Sequence, residues 1–226
     1  MGRTIGVLHS IAAPDIPSSA GAITQLETVA TQLGTRLGML RLLADSQLQA
    51  TTDSLTGLLN RRALQDRFRA LPDDDRNLTA VMADLDQFKT LNDTFGHETG
   101  DRALLLFATT MRATLRGGDL LCRYGGEEFA VVLPHCDAEN TVMLLERLQH
   151  NYRVALQTAG LPPVTATYGV IHTEHARDLD TLMRHADLAL FEGKRAGRDR
   201  IVYGAPRAPN ETDRPDQSPR HGTQAA

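Results

Sequence analysis

Residues 116–134 run RGGDLLCRYGGEEFAVVLP, two apolar segments joined by paired glycines and paired glutamates. Apolar runs interrupted by Gly-Gly are the short-range pattern of a β-hairpin, because glycine enters positive-φ turns without strain. Gly125 and Gly126 are therefore expected at a hairpin tip. Such a hairpin amid helical segments argues for an α+β fold rather than a fully parallel sheet. Glu127 and Glu128 then stand beside bare backbone, a setting suited to a metal or a phosphate and poorly suited to a core.

Hydrophobic periodicity fills in the remainder between Asp53 and Tyr203. It predicts helices at 60–71, 86–95, 99–115, 137–158 and 178–195, and strands at 78–85, 164–171 and 200–203 beside the hairpin. The expected architecture is a central, mostly antiparallel sheet flanked by helices. PDDDRN, residues 72–77, reads as a solvated turn. Upstream, Ile23, Leu26, Ala30, Leu33, Leu37, Leu40 and Ala44 recur at alternating spacings of three and four. That spacing gives a helix that serves either a two-chain coiled coil or its own domain, and Gly34 and Gly38 within it weaken the helix. RTIGVLH, residues 3–9, reads as a lone strand broken by APDIPSSAG, and a lone strand is not stable. Beyond Gly204 the tail carries four prolines and no large apolar side chain, so it is expected to be disordered.

Composition narrows the function classes. The chain has 226 residues and a formal charge of -4, enough length for one ordinary domain with attachments and no electrostatic case for nucleic acid. No apolar run approaches the ~18 residues of a membrane span, and no leader pattern opens the sequence. A cytoplasmic protein without a membrane partner is expected. Cys122 and Cys136 are too few for a disulfide framework and read as small buried hydrophobes.

A second informative stretch is VMADLDQFKTLNDTFGHETGD, residues 81–101. Asp84 directly follows an apolar run, where a carboxylate is costly unless a cation or hydrogen bonds answer it. With Asp86 it straddles the start of a helix whose free amides form an anion site. Asp86 itself reads as an ordinary helix N-cap. If the hairpin lies beside this strand, Glu127 and Glu128 complete an oxygen-rich site for a hard divalent cation. Lys89, Lys194 and Arg198 suit either a triphosphate or solvent. HTEH, residues 172–175, lacks helical ligand spacing and reads as a polar loop.

These residues carry a resemblance. The sequence resembles the GGDEF family of diguanylate cyclases, whose signature stands here as RYGGEEF. Three further motifs follow the family's order: DSLTGLLNRR at 53–62, DLDQFKTLNDTFGHETGD at 84–101 and ADLALFEGKRAGRDR at 186–200. The resemblance covers about 150 residues and implies a nucleotide-cyclase, polymerase-palm-like domain over 53–204. It implies condensation of two GTP into cyclic di-GMP with release of two pyrophosphates. Two Mg²⁺ or Mn²⁺ ions per site would be held by Asp84, the Leu85 carbonyl, Glu127 and Glu128. Glu127 would also take the proton of the attacking 3′-hydroxyl, and Lys89 would stabilise charge on the phosphate, with the Phe88 and Lys89 amides cradling it. Lys194 and Arg198, four apart and on one face if the last helix extends that far, would hold the terminal phosphates. Asn92 and Asp101, with His97 nearby, would recognise guanine. An Asp carboxylate accepts from the N1 and N2 donors of guanine, which adenine cannot match.

The resemblance also implies a homodimer, because each bond joins nucleotides held by two domains and the product is two-fold symmetric. The helix at 23–52 would then be a linker and dimerisation device, and residues 1–22 resemble the end of a GAF sensor domain, most of it absent. Arg116 and Asp119, the RGGD ends, stand where the family carries a product-inhibition site, with Arg147 as a further member; a helix-ending turn is the plainer reading. Gly193, Phe191 and Asp199 depart from the family's usual alanine, tyrosine and asparagine, and Gly193 is expected to loosen its helix by up to ~1 kcal/mol. The alternative function is a silent cyclic di-GMP receptor using Arg116 and Asp119.

Overall fold

The structure is a computed structural model and describes residues 20–72, 77–173 and 178–204. The predicted strand at 3–9, most of the turn at 72–77 and the tail after Gly204 lie outside the described residues. The chain divides after Ser54 into two units. The first holds helix α1, Ala20–Thr51. Thr28, Thr31 and Thr35 each donate a side-chain hydrogen bond to the carbonyl four residues earlier. Leu33 and Leu37, two members of the apolar repeat, are 45% and 46% exposed. No helix among the described residues is long and apolar enough to cross a membrane.

The second unit runs β1 Leu59–Asn60, α2 Arg61–Arg69, β2 Leu78–Leu85, α3 Phe88–Phe95, α4 His97–Thr114, β3 Leu120–Arg123, β4 Glu128–Pro134, α5 Ala138–Thr158, β5 Ala166–Thr173, α6 Leu179–Arg195 and β6 Ile201–Tyr203. Its six-stranded sheet has the order β1-β3-β4-β2-β5-β6. The three central pairs are antiparallel and the two outer pairs, β1 with β3 and β5 with β6, are parallel. The predicted elements fall within a few residues of those observed. The exception is β1, a two-residue strand whose Asn60 also caps α2 by accepting from the Ala63 amide at 2.9 Å.

Strand β2 is buried at all eight positions, as the centre of a three-layer fold requires. Side chains alternate across a strand, so β2 feeds two cores. Val81, Ala83 and Leu85 join Phe129, Val131 and Tyr168 against α3, α4 and α5. Phe107 meets Phe129 and Tyr152 edge-on, with ring centroids 4.8 and 4.9 Å apart. Leu78, Ala80 and Met82 join Ala130, Val132 and Ile171 against α2 and α6.

Helix α6 begins at a well-formed cap: Asp178 Oδ2 accepts from the Thr181 amide at 2.9 Å and from its hydroxyl at 2.5 Å. The hydroxyl hydrogen bond holds the Asp178 carboxyl below the ordinary value. Asp178→Ala is expected to cost about 1 kcal/mol. A carboxylate whose pKa is lowered on folding stabilises above its unfolded pKa, and that contribution fades as pH falls through the folded value. The difference between wild type and variant in denaturant midpoint should therefore shrink toward zero in strong acid.

Candidate active site

Asp84 continues the row of Leu78, Ala80 and Met82, one step past its last apolar member, and so emerges near the end of α6. Lys194, in the last turn of that helix, places Nζ 2.7 Å from Asp84 Oδ2. In the sheet Asp84 lies opposite Glu128 of β4 on one side and Thr167 of β5 on the other. Directly opposed residues of an antiparallel pair share a face. Leu85 donates its amide to the Glu127 carbonyl at 3.2 Å, which fastens the hairpin tip to the end of β2. At the tip the Tyr124 and Gly125 amides both donate to the Glu128 carbonyl, and Arg123 donates to the Gly126 carbonyl through Nε at 3.0 Å and Nη2 at 2.7 Å. The structure thus brings Asp84, Leu85, Glu127, Glu128 and Lys194 to one end of the sheet.

Charge is crowded here. Burial pushes the Asp84 carboxyl up, and the Asp86 charge adds to it, while the Lys194 hydrogen bond and charge and the Arg198 charge pull it back. Glu127 is raised first by burial, then by the Asp84 and Glu128 charges, against Lys194. As the side chains stand, no three His, Cys, Asp or Glu side chains of the described residues are gathered into a metal cluster, and the Lys194 ammonium is the counter-ion of Asp84. The donor set is nevertheless all hard oxygen, and its mutual repulsion is of the kind a divalent cation relieves, so these residues fit Mg²⁺ or Mn²⁺.

Three local expectations are corrected. Neither Gly125 nor Gly126 has positive φ; a Cβ at Gly125 would lie 2.2 Å from Glu128 Oε2 and would displace that carboxylate. Asp86 does not cap α3. Gln87 occupies that position with φ 54° and no side-chain cap bond, and Asp86 is buried and turned toward β5. Its Oδ1 accepts from Thr167 Oγ1 at 2.7 Å, and its Oδ2 from Thr165 Oγ1 at 2.6 Å and the Asp199 amide at 3.1 Å. Finally, α6 ends at Arg195, so Lys194 and Arg198 do not share a helical face. Arg198 sits in a left-handed turn at φ 63°, its amide on the Gly193 carbonyl at 3.0 Å.

Across the α3–α4 corner, where Gly96 takes φ 84°, Asn92 of α3 meets Gly100 of α4, the helix that also carries His97 and Asp101. Asn92 is half-buried, and its Oδ1 is buried with no hydrogen-bond partner among the described residues. It fills the space over Gly100, where a Cβ would stand 1.9 Å from that oxygen. Asp101 follows Gly100 directly, and Asp101, His97 and Lys89 are exposed. Phe88 is buried in the core, so its contribution to a ligand is limited to its backbone. The first turn of α3 carries no side-chain cap.

Arg116, Asp119 and Arg147 line a separate cavity of about 530 Å³ together with Thr114, His135 and Cys136. The Arg116 amide and Nε donate to the two Asp119 carboxylate oxygens at 2.9 and 3.1 Å, and its Nη2 donates to the Pro134 carbonyl. Arg147 Nη2 donates to the Thr114 carbonyl at 2.9 Å. RGGD is thus both a turn after α4 and one wall of a basic cavity. His172 belongs to β5 and shares a 3.1 Å hydrogen bond with Thr79 Oγ1, whereas residues 174 and 175 of the HTEH segment lie outside the described residues.

The sequence matches the family described as diguanylate cyclase, GGDEF domain, over residues 50–200. Diguanylate cyclase DgcP of Pseudomonas aeruginosa is 39% identical over 165 residues, covering 70% of this chain and 25% of DgcP. Diguanylate cyclase VdcA of Vibrio cholerae is 36% identical over 167 residues, covering 71% of this chain and 49% of VdcA. The chain therefore spans a quarter to a half of the length of these relatives. Among solved structures, the coiled coil and GGDEF domain of DgcB from Caulobacter crescentus, in complex with c-di-GMP, aligns with a TM-score of 0.66 at 27% identity, covering 79% of this chain and 99% of that one. The diguanylate cyclase SiaD from Pseudomonas aeruginosa, in complex with its activator SiaC, aligns with a TM-score of 0.64 at 34% identity, covering 81% and 74%. With RYGGEEF at the tip of a hairpin stitched to the aspartate-bearing strand, this chain belongs to the GGDEF domain family of diguanylate cyclases.

Proposed function

We propose that the chain is a diguanylate cyclase that joins two GTP molecules into cyclic di-GMP and releases two pyrophosphates. The observation that carries this reading is the placement of Asp84 opposite Glu128, with Glu127 at the adjoining tip and Lys194 on Asp84. Asp84, the Leu85 carbonyl, Glu127 and Glu128 would hold two Mg²⁺ or Mn²⁺ ions. Bound there, divalent cations supply charge neutralisation on the triphosphate.

The chain's own groups account for the other requirements. Glu127 takes the proton from the 3′-hydroxyl of one GTP as its oxygen attacks the α-phosphorus of the other; the bond to the β-phosphate oxygen breaks and pyrophosphate leaves. Lys89 and the uncapped amides of Phe88 and Lys89 offer donors to the phosphate oxygens. Lys194 exchanges its Asp84 contact for the terminal phosphates, with Arg198 beside it. Asn92, with its unpartnered oxygen, and Asp101 accept from the guanine edge, with His97 at the rim. Gly100→Ala is accordingly expected to push the Asn92 amide aside and weaken GTP binding about tenfold, the worth of one hydrogen bond. Titration calorimetry with GTP and ATP would check it, the ATP affinity being the less affected.

Turnover needs two such domains facing each other, so a homodimer is part of the proposal, and α1 with its half-exposed leucines is the segment we assign to it. The cavity of Arg116, Asp119 and Arg147 has two guanidiniums for phosphates or guanine edges and the Asp119 carboxylate among its acceptors, which suits cyclic di-GMP as an inhibitor. That DgcB was solved with c-di-GMP supports this choice of ligand. The deciding experiment incubates the purified chain with GTP and Mg²⁺ over a range of protein concentrations. Pyrophosphate release that rises more than linearly with protein supports the dimeric cyclase. No release at any concentration, with cyclic di-GMP still bound, would make the chain a receptor instead.

A further inference from the structure

We propose that Asp86 is a positioning residue that holds Arg198 toward the terminal phosphates, by fastening the Gly197–Asp199 turn to the sheet; the assignment rests on the cyclase function proposed above. Gly197, Arg198 and Asp199 are three successive residues with positive φ, 116°, 63° and 45°. For the two that carry a Cβ this conformation is unfavourable and persists only where surrounding contacts impose it.

The contacts on this turn differ in kind. Arg153 Nη2 lies 3.8 Å from Asp199 Oδ2, but both side chains are exposed, at 64% and 45%, so that ion pair contributes little. The Arg198 amide continues the end of α6 through the Gly193 carbonyl, and Arg200 Nε donates to the Arg198 carbonyl at 3.0 Å. A buried hold on the turn itself is Asp86, 7% exposed, through the Asp199 amide; one residue further on, the Tyr168 amide of β5 donates to the Arg200 carbonyl at 2.8 Å. Asp86 is in turn fixed by the hydroxyls of Thr165 and Thr167 and by its own amide, which donates to the Thr165 carbonyl at 2.8 Å. A carboxylate that accepts hydrogen bonds from Thr165 just before β5, from Thr167 within it and from the turn locks that end of the strand and the turn together. The turn it fixes carries Arg198 to the end of the sheet where Asp84 and Lys194 meet, near enough for the Arg198 charge to act on the Asp84 carboxyl.

The role is separable from mere folding because it predicts which part of the nucleotide is affected. Affinities for GMP and for a non-reacting α,β-methylene analogue of GTP would be measured with Mg²⁺ for wild type, Asp86→Asn, Arg198→Ala and the double variant. Arg198→Ala is expected to weaken the triphosphate analogue roughly tenfold and leave GMP unchanged. Asp86→Asn should produce about the same selective loss, and the double variant should bind no more weakly than Arg198→Ala alone. Thr165→Val, which removes one donor to Asp86, should show a smaller loss of the same selective kind and serves if Asp86→Asn melts below the assay temperature. Equal weakening of both nucleotides, or additive losses in the double variant, would overturn the positioning role while leaving the cyclase reading intact. Wild-type protein that binds neither nucleotide would overturn the cyclase reading, and this inference with it.

Discussion

Glu127→Gln is expected to lower cyclic di-GMP formation by about 10³-fold, within the range for loss of a general base. The substitution keeps volume and backbone, and the Glu127 carbonyl, not its side chain, accepts from Leu85. Fold and hairpin should therefore survive. Burial and the Asp84 charge crowd this carboxylate, so its neutral amide should leave thermal stability unchanged or slightly raised. The check is paired: steady-state product formation and a melting curve on the same preparation. A variant with full turnover would contradict the catalytic assignment, whereas a collapsed melting curve would show that the acid was structural.

Gly169→Ala should have the largest effect on stability. Helix α6 crosses β5 so closely that a Cβ at Gly169 would stand 2.0 Å from the Ala186 carbonyl oxygen and 2.3 Å from the Leu190 nitrogen. These are backbone atoms, so no rotamer change relieves the clash; the helix must retreat from the sheet and open the core of Met82, Ala130 and Ile171. We expect a loss of about 3 kcal/mol, the upper end for overpacking, and a Tm lower by roughly 10 °C. Because α6 carries Lys194, the lift should also reach the active end of the sheet. Gly193 has a related role on the same helix, where a Cβ would meet Thr167 Cγ2 at 2.7 Å. Its departure from alanine is thus a packing feature as well as a loss of helix propensity.

How much of this was legible depended on the range of the signal. Apolar runs and helical periodicity are read over a few positions, which is why β2 and α4 lay close to where the sequence placed them. The apolar run before Asp84 marked it as a carboxylate at a strand end, although the helix it meets was unreadable. β1 escaped because two residues carry no period; it exists through pairing with β3. Asp86 was misassigned because its neighbours alone favour a cap, whereas its partners lie 79, 81 and 113 residues away. For Gly125 the position was legible and the reason was not. A turn preference is local, but the closeness of the Glu128 carboxylate appears only when the hairpin closes. The left-handed backbone at Arg198 likewise belongs to tertiary contacts, since neither Arg198 nor Asp199 announces it.

That Asp84, Glu127, Glu128 and Lys194 form one site for a nucleoside triphosphate and its divalent cations is the step on which the proposed cyclase turns. It is tested most directly by a crystal structure with Mn²⁺ and the α,β-methylene analogue of GTP. Anomalous density is expected between the Asp84 and Glu127 carboxylates, with Lys194 moved from Asp84 onto phosphate and guanine between Asn92 and Asp101. Nucleotide seated elsewhere, with the Asp84–Lys194 ion pair undisturbed, would contradict it.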